Sequence, residues 1–202
     1  TWLILFGTLL GINHRFPRES NPQALHCRNP QSSQRPPRAV SHSNGQHMRY
    51  KGCMWYAKID VVELRYSMAD RGTESIMKWA HERGLTTLTY GTLGGGISTG
   101  AFRTLPHFDE KDICYTFYTA FKEPLFSKVQ KLLWDMDSIT ERHERPVSQA
   151  TLAWTMQKEL VTTALVECSS SKRVKGNCTT VTLEMTADKI TFLDSSIERN
   201  LA

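Results

Sequence analysis

The chain has 202 residues, enough for one domain and short for two. Apolar residues make up 40% of it and charged residues 22%, so we expect a folded globule rather than a disordered chain. The net charge of +5 is unevenly placed, because residues 13–52 hold seven Arg or Lys and one Glu and all other residues together sum to −1. A general nucleic-acid-binding function is therefore disfavoured, since the charge does not mark the part expected to fold.

The uncharged stretch Trp2–Asn13 is too short for a membrane span, which needs about 20 apolar residues. It also lacks the basic start and the cleavage site of a signal peptide. We therefore expect no membrane partner and a cytoplasmic location. The first residue, Thr1, indicates a processed chain or a fragment. The five cysteines are odd in number and show no Cys-x-x-Cys spacing, so free thiols and no metal site are expected.

Residues 13–50 contain five of the eight prolines and show no helical or strand periodicity, which predicts loop or disorder. After residue 58 the pattern changes to alternating strands and helices. Strands are predicted at 59–64, 85–90 and 162–166, and helices over 73–83, 124–143, 148–158 and 169–177, with a last helix capped by Thr186. Ser148 is the expected cap of the third helix, and 101–122 reads as an irregular connection. This order is typical of a parallel sheet with crossover helices, either doubly wound or a (β/α)8 barrel.

Two segments follow predicted strands and could bind a phosphate group. The first is the glycine-rich loop 91–100, and the second is Cys168–Lys175, which holds three serines and three cations and runs into a helix. Backbone N–H groups at a helix start attract anions. The loop matches neither the dinucleotide-binding fingerprint nor a Walker loop, so ordinary turns with solvated cations remain the alternative.

Four blocks together resemble the aldo-keto reductase family: Ile59–Arg71, Leu88–Gly100, Val147–Trp154, and Ala164–Ser170 with Asn177 downstream. Their order and spacing match the second half of that family's (β/α)8 barrel, strands 6 to 8, over about 56–199. Weaker matches are Arg38–Asn44, similar to the strand-5 block, and Gly11–Phe16, similar to the end of strand 4.

The resemblance implies an incomplete TIM-type (β/α)8 barrel. We expect residues 1–52 to be an irregular Pro/Arg-rich segment with strand-4 and strand-5 remnants, and residues 53–202 to be the carboxyl-terminal half-barrel. Without its first strands the sheet cannot close, so the strand near Ile59 is expected at an open edge that favours self-association.

By resemblance, the function is NADPH-dependent reduction of aldehydes or ketones. The family uses a Tyr, Lys, Asp and His tetrad, of which this sequence offers only the His, at His14. The other three would precede Thr1, so this chain alone is expected to be inactive; Tyr56, Tyr66 and Tyr90 do not match the catalytic tyrosine. The alternatives are a non-catalytic remnant that binds nucleotide weakly, and an RNA-binding module that uses the basic segment.

The resemblance also implies a set of cofactor-binding residues. At the nicotinamide end they are Ser43 and Asn44 on the carboxamide, Glu63 where the family has Gln, and Tyr90 stacked on the ring. At the phosphate end they are Leu93 and Gly94 beside the pyrophosphate, Ser169, Ser170 and Arg173 at the 2′-phosphate, and Asn177 at the adenine. The Glu63 carboxylate can accept but not donate, so one amide contact would be lost.

Overall fold

The computed structural model describes residues 2–7, 41–43, 54, 58–109, 112–141, 145–183 and 185–201. The predicted residues His14 and Asn44, and the block Gly11–Phe16, lie outside these ranges. The division of the chain at residue 52 therefore stays a prediction, although two short strands are described on its amino-terminal side.

Five parallel strands form one sheet. They are β1 (Trp2–Gly7), β2 (Ser41–Ser43), β3 (Val61–Arg65), β4 (Thr86–Tyr90) and β5 (Thr163–Cys168). Their order is β1-β5-β4-β3-β2, so the two earliest strands stand at the two edges. The strand predicted at Ile59 is therefore not an edge strand: β2 pairs with it along Ser41–Ser43, in the region predicted as a strand-5 remnant. The sheet and its crossover helices form an incomplete (β/α)8 barrel, as predicted.

The two faces of the sheet differ in burial. Val62 and Leu64 on β3, and Thr87 and Thr89 on β4, are buried against the helical layer. The alternating residues on the opposite face, such as Glu63, are only half-buried. Because strand side chains alternate between faces, the described helices cover one face, and the other is the face that lines the interior of a barrel.

The helical layer consists of α1 (Glu74–His81), α2 (Ile113–Phe117), α3 (Leu125–Glu141), α4 (Val147–Met156), α5 (Ser171–Cys178) and α6 (Ala187–Leu201), with short 3-10 turns at Gly94–Thr99, Thr119–Phe121 and Thr179–Thr182. In the last helix, Leu193 and Ile197 are buried where α6 packs along α3. Two details of the prediction are wrong. Pro146, not Ser148, takes the capping position of α4, and the stretch 101–122 contains α2. In the described ranges, no helix combines the length and apolar character needed to cross a membrane.

Candidate functional site

The carboxyl ends of the three central strands lie on one rim, because the strands are parallel. In register, Arg65 of β3 stands beside Tyr90 of β4, and Glu63 stands between Ser43 of β2 and Leu88 of β4. The strands thus bring together Ser43, Glu63 and Tyr90, the three described residues predicted for the nicotinamide end. Ligands of parallel α/β folds bind at this end of the strands.

The loop that follows β4 depends on glycine. Gly91, Gly94, Gly95, Gly96 and Gly100 all have φ between 60° and 101°, a region that other residues rarely adopt. The resulting turns form backbone hydrogen bonds from the Gly94 N–H to the Gly91 carbonyl (2.7 Å) and from the Gly96 N–H to the Leu93 carbonyl (3.0 Å). Backbone hydrogen bonds within the loop therefore hold its shape, and the glycines, which have no side chains, let its backbone come close to a ligand.

Two threonine hydroxyls fix this loop to the barrel. The Thr92 hydroxyl donates to the Leu165 carbonyl of β5 at 2.7 Å, and the Thr151 hydroxyl of α4 donates to the Ser98 carbonyl at 2.9 Å. Both threonines are buried. No local pattern in the sequence indicates these contacts, because each bond joins residues more than fifty positions apart.

The start of α5 presents hydrogen-bond donors to solvent. Ser170 caps the helix by accepting from the Arg173 N–H at 3.3 Å, and the Arg173 guanidinium donates to the Ser169 hydroxyl at 2.6 Å. All three residues are exposed. A helix start with free N–H groups and an arginine folded over it suits an anion. One neighbour opposes this, since Glu167 is also exposed at the end of β5.

The glycine-rich loop and α5 meet on a common apolar cluster. Leu93 of the loop and Val174 of α5 both pack against Leu152, Val166 and Cys168. This contact places the two segments predicted to bind phosphate groups beside each other at the end of β5.

Asn177 lies on the inner side of α5. It is buried, and its amide nitrogen donates to the Cys168 sulfur at 3.2 Å. In this arrangement the Asn177 side chain fastens α5 to the end of β5. A role on an adenine ring, as predicted from the resemblance, would have to use the remaining amide oxygen or a turned side chain.

Tyr66, at the end of β3, has a structural role. Its ring stacks on Trp154 with centroids 5.9 Å apart, and its hydroxyl donates to the Glu74 carboxylate at 2.9 Å. Burial, followed by the negative charge of Glu74, raises the pKa of Tyr66 above its ordinary value of 10. Tyr66 is therefore not a candidate proton donor. Within the described ranges, no three His, Cys, Asp or Glu side chains are grouped as metal ligands would be.

Comparison with known proteins gives one consistent result. Residues 38–198 match the family model of the Aldo/keto reductase family. A curated relative, an aldo-keto reductase of Strobilurus tenacellus, is 23% identical over 116 residues, which are 57% of this chain and 34% of the relative.

Two solved structures show the same fold. A glycerol dehydrogenase from Gluconobacter oxydans is similar with a TM-score of 0.72 and 20% identity, over 81% of this chain and 50% of that chain. The holo form of an aldo-keto reductase from Bacillus halodurans has a TM-score of 0.60 and 18% identity, over 79% and 50%. The chain thus spans about half the length of these structures.

Proposed function

Because the chain belongs to the aldo/keto reductase family, we propose that it supplies the cofactor-binding half of an NADPH-dependent oxidoreductase that reduces aldehydes or ketones. The observation that carries this proposal is the junction of the glycine-rich loop with the start of α5, where Leu93 and Val174 share one apolar cluster. This cluster holds side by side two segments that each suit phosphate groups.

The residues present fit the phosphate end of the cofactor. Arg173 and Ser169 are exposed and in contact, at the start of a helix capped by Ser170. An arginine there favours a 2′-phosphate through charge-assisted bonds. The Gly94 and Gly96 N–H groups bond within the loop, so the glycines would serve the pyrophosphate by letting the backbone come close to it. The nearby Glu167 carboxylate weakens the attraction of this helix start for a phosphate, but the cations of the segment outnumber it.

At the nicotinamide end the fit is partial. Tyr90 is half-buried at the end of β4, where a ring can stack on it, and Ser43 and Glu63 are in register on neighbouring strands. Bound NADPH would supply the hydride for a carbonyl carbon. The part of this chain is to hold and orient the nicotinamide, and the Glu63 carboxylate would do so by accepting only, without the donating amide group of a glutamine.

Fluorescence titration tests the proposal. We expect NADPH to bind more tightly than NADH, and Arg173→Ala to weaken NADPH by about ten- to hundredfold while leaving NADH nearly unchanged, since a hydrogen bond to a charged group contributes about 1.5–3 kcal/mol. Lys175→Ala is the control, because it removes the same charge two residues further along α5, about half a helical turn away. Equal binding of both nucleotides by the unaltered chain would refute the assignment of Arg173.

Adenosine 2′,5′-bisphosphate separates the two ends of the site. It carries the 2′-phosphate and lacks the nicotinamide, so we expect it to displace NADPH with an affinity within about tenfold of the cofactor's own, about 1.4 kcal/mol. Adenosine 5′-monophosphate, without the 2′-phosphate, should bind far more weakly. If both nucleotides fail to displace NADPH, the phosphate end is not where we place it.

The second candidate function is nucleotide binding without turnover. It rests on the lack of a match to the family's catalytic tyrosine in this sequence. Tyr66 cannot take that place, because it is buried and its hydroxyl already donates to the Glu74 carboxylate. General acid catalysis contributes about a hundred- to ten-thousandfold, so we expect little NADPH oxidation with a panel of aldehydes. Robust turnover by this chain alone would exclude the second candidate and favour the first.

A further inference from the structure

Arg65 is the last residue of β3, on the rim of the candidate site, and the cofactor assignment does not use it. Its guanidinium Nε pairs with Asp70 at 2.6 Å, and its Nη1 donates to the Phe117 carbonyl at 3.2 Å. The guanidinium also lies over the Phe117 ring, 5.0 Å from the centroid. Arg65 therefore joins the end of β3 to α2, which lies 52 residues further along the chain.

On the β3 side, the Arg65 guanidinium is held by Asp70, and Asp70 is itself fixed by a turn. Asp70 closes a tight turn with Ser67, in which the backbone N–H and C=O groups of the two residues bond reciprocally at 3.0 and 3.2 Å. The Asp70 N–H also donates to the Ser67 hydroxyl at 3.1 Å. Asp70 is thus a fixed partner, and it sets the direction of the Arg65 guanidinium.

The other side of Arg65 leads to the glycine-rich loop. Tyr118 follows Phe117 directly, and the two rings meet edge to face with centroids 5.0 Å apart. The Tyr118 ring lies so close to the loop that a Cβ on Gly95 would be 2.6 Å from Tyr118 Cδ2. A Cβ on Gly91 would lie 3.5 Å from the same ring and 3.4 Å from Arg65 Cγ.

We propose that Arg65 is a positioning residue that, through Phe117 and Tyr118, holds the glycine-rich loop in the shape that receives the pyrophosphate. The ligand class rests on the proposed function; the anchoring of the loop does not. Because the pyrophosphate is common to both nicotinamide nucleotides, Arg65 controls the affinity for NADPH and NADH to the same extent. In this respect it differs from Arg173, which distinguishes between the two.

Hydrogen exchange of the free protein tests the anchoring. In Arg65→Met we expect the Gly94, Gly96 and Ser98 amides, which bond within the loop, to exchange about three- to tenfold faster, the size of effect expected for a partly exposed ion pair with one added hydrogen bond. The amides of β4 and β5 should not change. Arg65→Lys keeps the charge beside Asp70 but lacks the planar fork, so we expect an intermediate rate.

Arg83→Met is the matched control. Arg83 lies over the Trp79 ring at 4.9 Å and donates to the Trp79 carbonyl at 3.1 Å, the same pair of contacts at the end of α1. It should leave the exchange of the loop unchanged. If Arg65→Met does not fold, Phe117→Leu removes the ring contact at a residue that is 43% exposed and should give the same acceleration.

Titration with both nucleotides completes the test. We expect Arg65→Met to weaken NADPH and NADH by the same factor, about three- to tenfold. Unchanged exchange in the loop of Arg65→Met, or a loss confined to NADPH, would overturn the positioning role. If the unaltered chain binds neither nucleotide, the proposed function and the ligand assigned to the loop both fail, and the exchange rates alone then decide whether Arg65 anchors the loop.

Discussion

Replacing Asp135 by Ala should destabilise the packing of α3 against α6. One oxygen of Asp135, Oδ2, accepts hydrogen bonds from the Ser196 hydroxyl, from Arg199 at 2.7 Å and from Asn200 at 2.9 Å. Ser196 is fully buried, so its hydroxyl loses an acceptor that water cannot replace. The Arg199 side chain is 60% exposed, so its ion pair adds little.

The free energy of unfolding should fall by about 2 kcal/mol. This is the value of a hydrogen bond from a buried donor to a charged acceptor, with a small contribution from the exposed partners. For a chain of this size that corresponds to a fall in Tm of about 4–8 °C in a calorimetric or circular dichroism melt. Asp137→Ala is the control, two residues along α3. This change breaks the 2.6 Å ion pair between Asp137 and Arg103, in which both side chains are about one-third exposed. It should lower the free energy of unfolding by less than about 1 kcal/mol.

The effect of Asp135→Ala should also depend on pH. Burial by itself raises the pKa of Asp135, but the bonds from Ser196, Arg199 and Asn200 outweigh it and hold the pKa below its ordinary 3.8. A depressed pKa in the folded state contributes stability above the unfolded pKa and loses it as the pH falls through the folded one. The difference from the unaltered chain should therefore be full at neutral pH and shrink below pH 3.8. A difference of under 1 °C at pH 7, or one that persists in acid, would refute this reasoning.

Two further substitutions test the core and the loop. Asp194→Ala removes the acceptor of the buried Trp154 indole N–H, 2.8 Å away, together with the partner of Lys158 at 2.6 Å. It should lower the free energy of unfolding measured in urea by about 1–3 kcal/mol, and a loss below about 0.5 kcal/mol would contradict both contacts. Gly95→Ala places a Cβ against Tyr118 at a φ of +68°, whereas Gly84→Ala has nearly the same φ of +66° but open space around the new Cβ. The positive φ alone should lower the free energy of unfolding by about 1–2 kcal/mol in both variants, so Gly95→Ala should lose more. Equal losses would show that the Tyr118 contact is unimportant.

Local patterns predicted the central strands and most helices within a few residues. The predicted strands at 59–64 and 85–90 are observed as Val61–Arg65 and Thr86–Tyr90. They succeed because both segments are short runs rich in β-branched residues, which favour strands. The cluster of glycines after β4 likewise predicted a turn, since several positive φ values there exclude other residues.

The long-range pairings could not be predicted in this way. Nothing in Trp2–Gly7 shows that it pairs with Thr163–Cys168, more than 150 residues later, because the register of a strand depends on partners that a local pattern does not contain. The same holds for the bond from Arg65 to Phe117 and for the Thr92 hydroxyl on β5. The sequence therefore indicated the segments of the candidate site, whereas the side chains that fix those segments became visible only in three dimensions.

The two ends of the candidate site depend differently on the described chain. The phosphate end lies wholly between Tyr90 and Asn177, and Thr92, Thr151 and Asn177 tie its segments to β5 and α4. The nicotinamide end rests on β2, a strand of three residues, and on Glu63, which we propose takes the place of a glutamine. Nucleotide recognition through the adenosine and its phosphates is therefore the property that these residues support most fully. Hydride transfer requires both ends, so turnover by this chain alone would separate the two proposed functions, whereas binding without turnover agrees with both.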